Sequence, residues 1–167
     1  IELLNSGYTF YSETDTEIIC NYLEYIFLKK HEFAMEKTDK LINSDYEKLI
    51  LEAIEEVQTK MSGSWGLVIF SSYAPDTLFC VRHGSPLLIG KNDNEVLIAS
   101  EQAGFGNRVN TYFILNTNDV CVIRYCNSSD EININTSFTY SYKKTNTQLI
   151  RDSPNPYPHW TIREIYE

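Results

Sequence analysis

The spacing of apolar residues changes once along this chain, at Gly63. Before it, apolar side chains recur every three or four positions: Ile18, Ile19, Tyr22, Leu23, Ile26 and Phe27, then Leu49, Ala53, Ile54, Val57 and Met61. Each set forms one stripe of an α-helix. After it come short apolar runs separated by turn residues: "SWGLVIFSS", "TLFCVRHG", "SPLLIG", "EVLIAS", "TYFILN" and "DVCVIRYC". Such runs are strands. Helices first and strands after point to an α+β fold, with helices layered on a mainly antiparallel sheet.

Finer expectations follow from the same pass. "IELLNSG" reads as a short helix closing at Gly7, and "YTFYS" as a short strand. The polar stretch "KKHEFAMEKTDKLINSD" reads as a loop, after which Asp45 or Ser44 caps the next helix. The run "SWGLVIFSS" is apolar enough to be buried on both faces. "APD" reads as a turn, and "KNDN" and "NTND" as hairpin signals. "SEQAGFGNRVN" holds one helical turn, and "EININT" with "FTYSYKK" forms a peripheral hairpin. From residue 146 onward the chain is polar and Pro-rich. That divides it into a body, 1–145, and a tail or linker, 146–167.

Composition narrows the function classes. The 167 residues fit one domain with a real core, and 43% hydrophobic against 22% charged residues is a globular balance. A net charge of −9 offers no footprint for a phosphate backbone, so nucleic acid is not an expected partner. No apolar run has membrane length, so no membrane association is expected, and the sequon at Asn127 should stay unglycosylated. Cys20, Cys80, Cys121 and Cys126 form no CxxC pair and have no ligand-spaced His, so no metal or cofactor site is expected. They read as reduced core cysteines of a cytoplasmic protein. The chain opens at Ile1, without Met and inside a helical pattern, as a piece of a longer polypeptide would.

The stretch "SETDTE", residues 12–17, precedes the first long helix. Ser12 with Asp15, or Thr14 with Glu17, fits the capping-box spacing, and such a cap contributes roughly 0.5–2 kcal/mol. Capping alone explains one hydroxyl and one acid. Here three acids lie within five residues, and like charges repel unless they serve separate tasks. One carboxylate held at the helix start is also placed to bind an ammonium group, which would make the ligand a free amino acid.

Several stretches, in order, resemble a known family. They are "GYTFYSETDTE", "GSWGLVIF", "DTLFCVRHGSPLLIG", "EVLIASE", "NRVNTYFILNTNDVCVI" and "YPHWTIREIYE". The chain resembles the glutamine amidotransferases with an N-terminal nucleophile, and within them the glutamine–fructose-6-phosphate aminotransferases. "GSPLLIG" and the closing "REIYE" are the most specific parts. The resemblance implies an αββα sandwich whose N-terminal Cys attacks the glutamine amide, with its own α-amine as base. Released ammonia then serves a sugar-isomerase domain that converts fructose 6-phosphate to glucosamine 6-phosphate. Asp15 matches the family's ligand for the α-amino group of glutamine, leaving Ser12 and Glu17 to cap. The implied partners are glutamine and, through an isomerase domain not present here, fructose 6-phosphate; the full-length protein is expected to be a homo-oligomer.

The departures matter equally. The nucleophilic Cys, the Arg-Trp-x-x-His-Gly segment that grips the glutamine carboxylate, and the Asn-Gly oxyanion pair are not found in these residues. The chain therefore reads as the C-terminal part of a glutaminase domain, inactive by itself and exposing sheet edges or apolar surface. Two alternatives stand beside it: a fragment of the purine-pathway amidotransferase, and a non-catalytic remnant acting as a binding module. Elsewhere, His83 and Arg82 read as structural, Trp65 as core and Trp160 as a tail anchor, and "GFGNR" lacks the Lys-Ser/Thr of a phosphate loop.

Overall fold

The computed structural model describes residues 2–146 and 153–166. In chain order the elements are α1 (Glu2–Asn5), α2 (Asp15–Met35), α3 (Asn43–Gln58), β1 (Trp65–Ser71), β2 (Ala74–His83), β3 (Leu88–Lys91), β4 (Val96–Ala99), a 3₁₀ turn (Gln102–Phe105), β5 (Thr111–Ile114), β6 (Val120–Cys126), β7 (Glu131–Asn135), β8 (Lys143–Lys144) and α4 (Trp160–Tyr166). The α+β expectation holds: the strands form two four-stranded antiparallel sheets, ordered β1-β2-β6-β7 and β4-β3-β5-β8. The chain divides into two compact units. One runs up to Ser85 and resumes over Asn116–Phe138; the other holds Pro86–Leu115 and the described residues from Thr139 on.

The first unit is built on β2. Its alternation sends Phe79 and Val81 to one face, where they meet Ile26 and Phe27 of α2, Ile50, Ala53, Ile54 and Val57 of α3, and Val122 of β6. Phe79 and Val81 are wholly buried. A second tie crosses the same layers. The Glu47 carboxylate on α3 accepts from Thr77 Oγ1 at 2.8 Å and from Arg124 Nε at 2.6 Å, so one half-buried acid joins the helix to two neighbouring strands.

Four local expectations are corrected here. "YTFYS" is not a strand, because the amides of Tyr11 and Ser12 are taken by the Glu17 carboxylate and have no ladder to join. Residues 29–35 are the last two turns of α2, not a loop. Their charges are a helix's wet face: Lys30 pairs with Glu56 at 3.0 Å, and His31 stacks between Phe27 and Tyr46. Asp45 is the third residue of α3 and not its cap; its carboxylate accepts the Ile42 N–H at 2.9 Å. β1 is covered on one face only: Leu67 and Ile69 pack inward, while Val68 and Phe70 are 49% and 62% exposed. It is an edge strand, and an unbroken apolar run does not reveal how many faces are covered.

Turns depart from the sequence expectation in three places. The reversal after β1 lies at Ser72-Tyr73, and "APD" belongs to β2. "NTND" is not a hairpin, since β5 and β6 lie in different sheets; Asn118 takes a left-handed φ of 63° there. "EININT" and "FTYSYKK" do not pair with each other: β7 folds back on β6 through a tight turn with Asp130 at φ 57°, and β8 joins β5. "KNDN" does join the paired strands β3 and β4.

In the second unit β3 is central. Leu88, Phe105 and Val109 form its core, with Leu97, Ala99 and Tyr112 packed around them. Phe113 stacks on Tyr140 and meets Tyr142 edge-on, at 4.4 and 5.3 Å between ring centroids. In the C-terminal helix the buried anchor is Arg163, which donates to the Ser153 carbonyl; Trp160, expected to anchor, is 46% exposed. Gly90 is fixed by space, for a Cβ there would sit 2.7 Å from Val109 Cγ2 and 2.9 Å from Phe105 Cε1. Overpacking of this kind costs about 1–3 kcal/mol. Gly90→Ala is therefore expected to lower the unfolding free energy by that amount, which urea unfolding would show as a lower midpoint with an unchanged slope.

Candidate functional site

The α2 N-terminus assembles from short-range chemistry. Gly7, at φ 86°, ends α1, and the Tyr8 N–H closes on the Leu3 carbonyl at 3.0 Å. Tyr8 then meets Tyr25 edge-on, and the Tyr25 hydroxyl donates to Glu2 at 3.1 Å, which fixes where the segment after α1 departs. Thr14 is the N-cap, extended at φ −89° and ψ 141°, and its Oγ1 accepts the Glu17 N–H at 3.4 Å. Thr14 is thus the cap, although Ser12 offered the same spacing; the reciprocal half of a capping box is missing, because the Thr14 N–H goes to Ser12 Oγ at 3.4 Å.

Glu17 reaches past the cap to the loop before it. Its carboxylate accepts the Tyr11 N–H at 2.8 Å, the Ser12 N–H at 2.7 Å and the Ser12 hydroxyl at 2.5 Å. Ser12 Oγ also lies 2.8 Å from Thr14 Oγ1. Ser12 is accordingly a donor to Glu17, not the cap. These donors, the Ser12 hydroxyl foremost, hold the Glu17 carboxyl below its ordinary value.

Asp15 stands apart from this network. It is the first residue of α2, it is exposed, and its contact is a long one from Thr16 Oγ1 to Oδ1 at 3.5 Å. Beside this turn lies an open groove lined by Leu3, Leu4, Phe10, Ser12, Ile18 and Tyr22 among others. With the cap satisfied by Thr14 and the loop held by Glu17, the Asp15 carboxylate remains at the positive end of a 21-residue helix.

The other sequence candidates are structural. The His83 ring stacks on Trp65 at 4.7 Å and meets Asn118 Oδ1 through Nδ1, while Arg82 donates to Thr117 Oγ1 at 3.0 Å. In "GFGNR" the Arg108 guanidinium is engaged by Glu95. Of the four cysteines, Cys80 and Cys121 are buried as expected; Cys20 is exposed and Cys126 half-buried, so the core reading fails for those two. Among the described residues, no group of three or more His, Cys, Asp or Glu is gathered to hold a metal ion, and no helix is long and apolar enough to cross a membrane. Sequence reasoning missed Glu47 and the loop-holding role of Glu17. Only the Glu at the third position after Thr14 signalled the latter.

Comparison with known proteins places the chain as a whole. No family model matches the chain. Curated proteins do: a probable glutamine–fructose-6-phosphate aminotransferase (isomerizing) of Acanthamoeba polyphaga mimivirus is 28% identical over 165 residues, 98% of this chain and 23% of that protein. The chain is a homologue of the glutamine–fructose-6-phosphate aminotransferases. The aminotransferase of Buchnera aphidicola is 29% identical over 99% of the chain and 25% of its own length; that of Escherichia coli K12 is 30% identical over 99% and 24%. The chain thus spans about a quarter of the aminotransferases it matches, and the N-terminal-nucleophile assignment fits them.

The lowered Glu17 carboxyl fixes the sign of a pH effect. Its stabilisation of residues 11–14 is fully present above the ordinary value of 4.5 and is lost as pH falls through the lower folded value. The Tyr11 and Ser12 amide resonances should therefore shift together below about pH 4.5. Glu17→Gln should abolish that transition in an NMR titration.

Proposed function

We propose that this chain is the later part of a glutaminase domain, supplying ammonia for glucosamine 6-phosphate formation from fructose 6-phosphate. The observation that carries the reading is homology to enzymes of that name over nearly every residue of the chain. Asp15 holds the α-ammonium group of glutamine. Its exposed carboxylate, left over once Thr14 has capped the helix and Glu17 has tied the preceding loop, supports that role. A carboxylate recognises an ammonium by charge-assisted hydrogen bonds.

In this reading the attacking thiol lies outside these 167 residues. None of Cys20, Cys80, Cys121 or Cys126 can replace it, since an internal Cys has no free α-amine to act as its base. The chain alone should be inactive toward glutamine. Residues 146–167 lead toward a sugar-isomerase domain, and the whole protein works as a cytoplasmic homo-oligomer.

Two measurements test this. The isolated chain should release no ammonia from glutamine, whereas the polypeptide extended by its upstream coding sequence should. In that longer protein, Asp15→Asn should raise the KM for glutamine roughly 10- to 100-fold, the value of a charged hydrogen bond, and leave ammonia-driven synthesis unchanged. Unaltered glutamine use would remove Asp15 from the substrate site.

A further inference from the structure

Cys80 and Cys121 have no part in the proposed chemistry, yet the fold sets them directly against each other. In the β2–β6 register Cys80 is the partner of Cys121, with Phe79↔Val122 and Val81↔Val120 on either side. Opposed residues of an antiparallel pair project from the same face, with Cα atoms about 4.5–5.5 Å apart. Disulfides span about 4.4–6.8 Å between Cα atoms, so the backbone needs no rearrangement to accept one. Phe79, Val81 and Val122 face the helices, which puts both sulfurs on the opposite face of the sheet. Both thiols are wholly buried and free.

We propose that Cys80 and Cys121 form a cross-strand disulfide under oxidation by a peroxide, fastening β2 to β6. The step balances with hydrogen peroxide as oxidant. Each thiol ionises as it reacts, and its proton is taken up by the departing hydroxide to make water. One thiolate attacks a peroxide oxygen, the O–O bond breaks, and a sulfenic acid and water result. The second thiolate attacks that sulfur, the S–O bond breaks, and the disulfide forms with loss of a second water. Two thiols are oxidised and one peroxide is reduced.

Burial sets the rate. It pushes each thiol up to about 12, so the folded protein presents almost no thiolate to the oxidant. Oxidation must then wait for the sheet to open locally. Once formed, the bond closes a loop that carries β3, β4, the 3₁₀ turn and β5, because all of them lie between Cys80 and Cys121 in the chain. Cross-linking a loop of that length restricts the unfolded chain and resists separation of β2 from β6.

The test uses the intact encoded protein with Cys20 and Cys126 changed to Ser, treated with hydrogen peroxide and mapped by peptide mass without reduction. The expected product is a Cys80–Cys121 linked peptide, two hydrogens lighter than the reduced pair. The melting temperature should rise by several degrees and return with dithiothreitol. Cys80→Ala or Cys121→Ala should leave the remaining sulfur to proceed to sulfinic acid, with far-UV circular dichroism confirming that each variant is folded. Oxygen added separately to both sulfurs in the protein retaining the pair, with no linked peptide, would overturn the proposal.

Discussion

Most of the first unit depends on the burial of Phe79. It sits in the middle of β2, between β1 and β6, and faces Ile54 and the rest of the helix layer with no exposed surface. A buried aromatic of that size contributes on the order of 2 kcal/mol or more in transfer free energy. It also sets the register by parity. With Phe79 and Val81 inward, Cys80 must project to the other face, and a slip by one residue would turn every side chain over. Glu47 reinforces the same registration with polar contacts, since its two acceptor bonds reach Thr77 and Arg124 together only when β2 and β6 are correctly aligned.

Long periodic patterns were legible in the sequence, and so was the order of helices before strands. α3 and β3 to β6 lie where the residue pattern puts them, because each carries a strong period or an apolar run between turn residues, and β2 begins three residues before its run. What failed was local and polar. Charged residues at positions 29–35 look alike in a loop and on the wet side of a helix, and only the stacking of His31 on Phe27 and Tyr46 distinguishes them. The aromatic run "YTFYS" has strand composition, but a carboxylate six residues along takes its amides. Pairings such as β8 with β5 depend on residues far apart in the chain, which local composition does not encode.

The candidate site was legible to a greater depth than the loop around it. Three acids and three hydroxyls announced a helix start, and the structure divides the work among them. Thr14 closes the cap, Glu17 gathers the preceding loop, and Asp15 keeps an exposed carboxylate. Which hydroxyl caps and which merely donates could not be read from spacing, because both pairs have the same separation. Their difference lies in the fourth residue: Glu17 is one methylene longer than Asp15, and that extra reach lets it span back to Ser12 and Tyr11.

The four sheet borders are finished unequally. β8 presents two lysines, β7 carries Glu and Asn, and β4 is packed by the 3₁₀ turn, while β1 offers "WGLVIFS" with no charge at all. A border without a repelling group is a growing end for crystallites of strand upon strand. Concentrating the protein therefore loads that margin first, and a single lysine in place of Val68 would act on shelf life and haze without touching the start of α2.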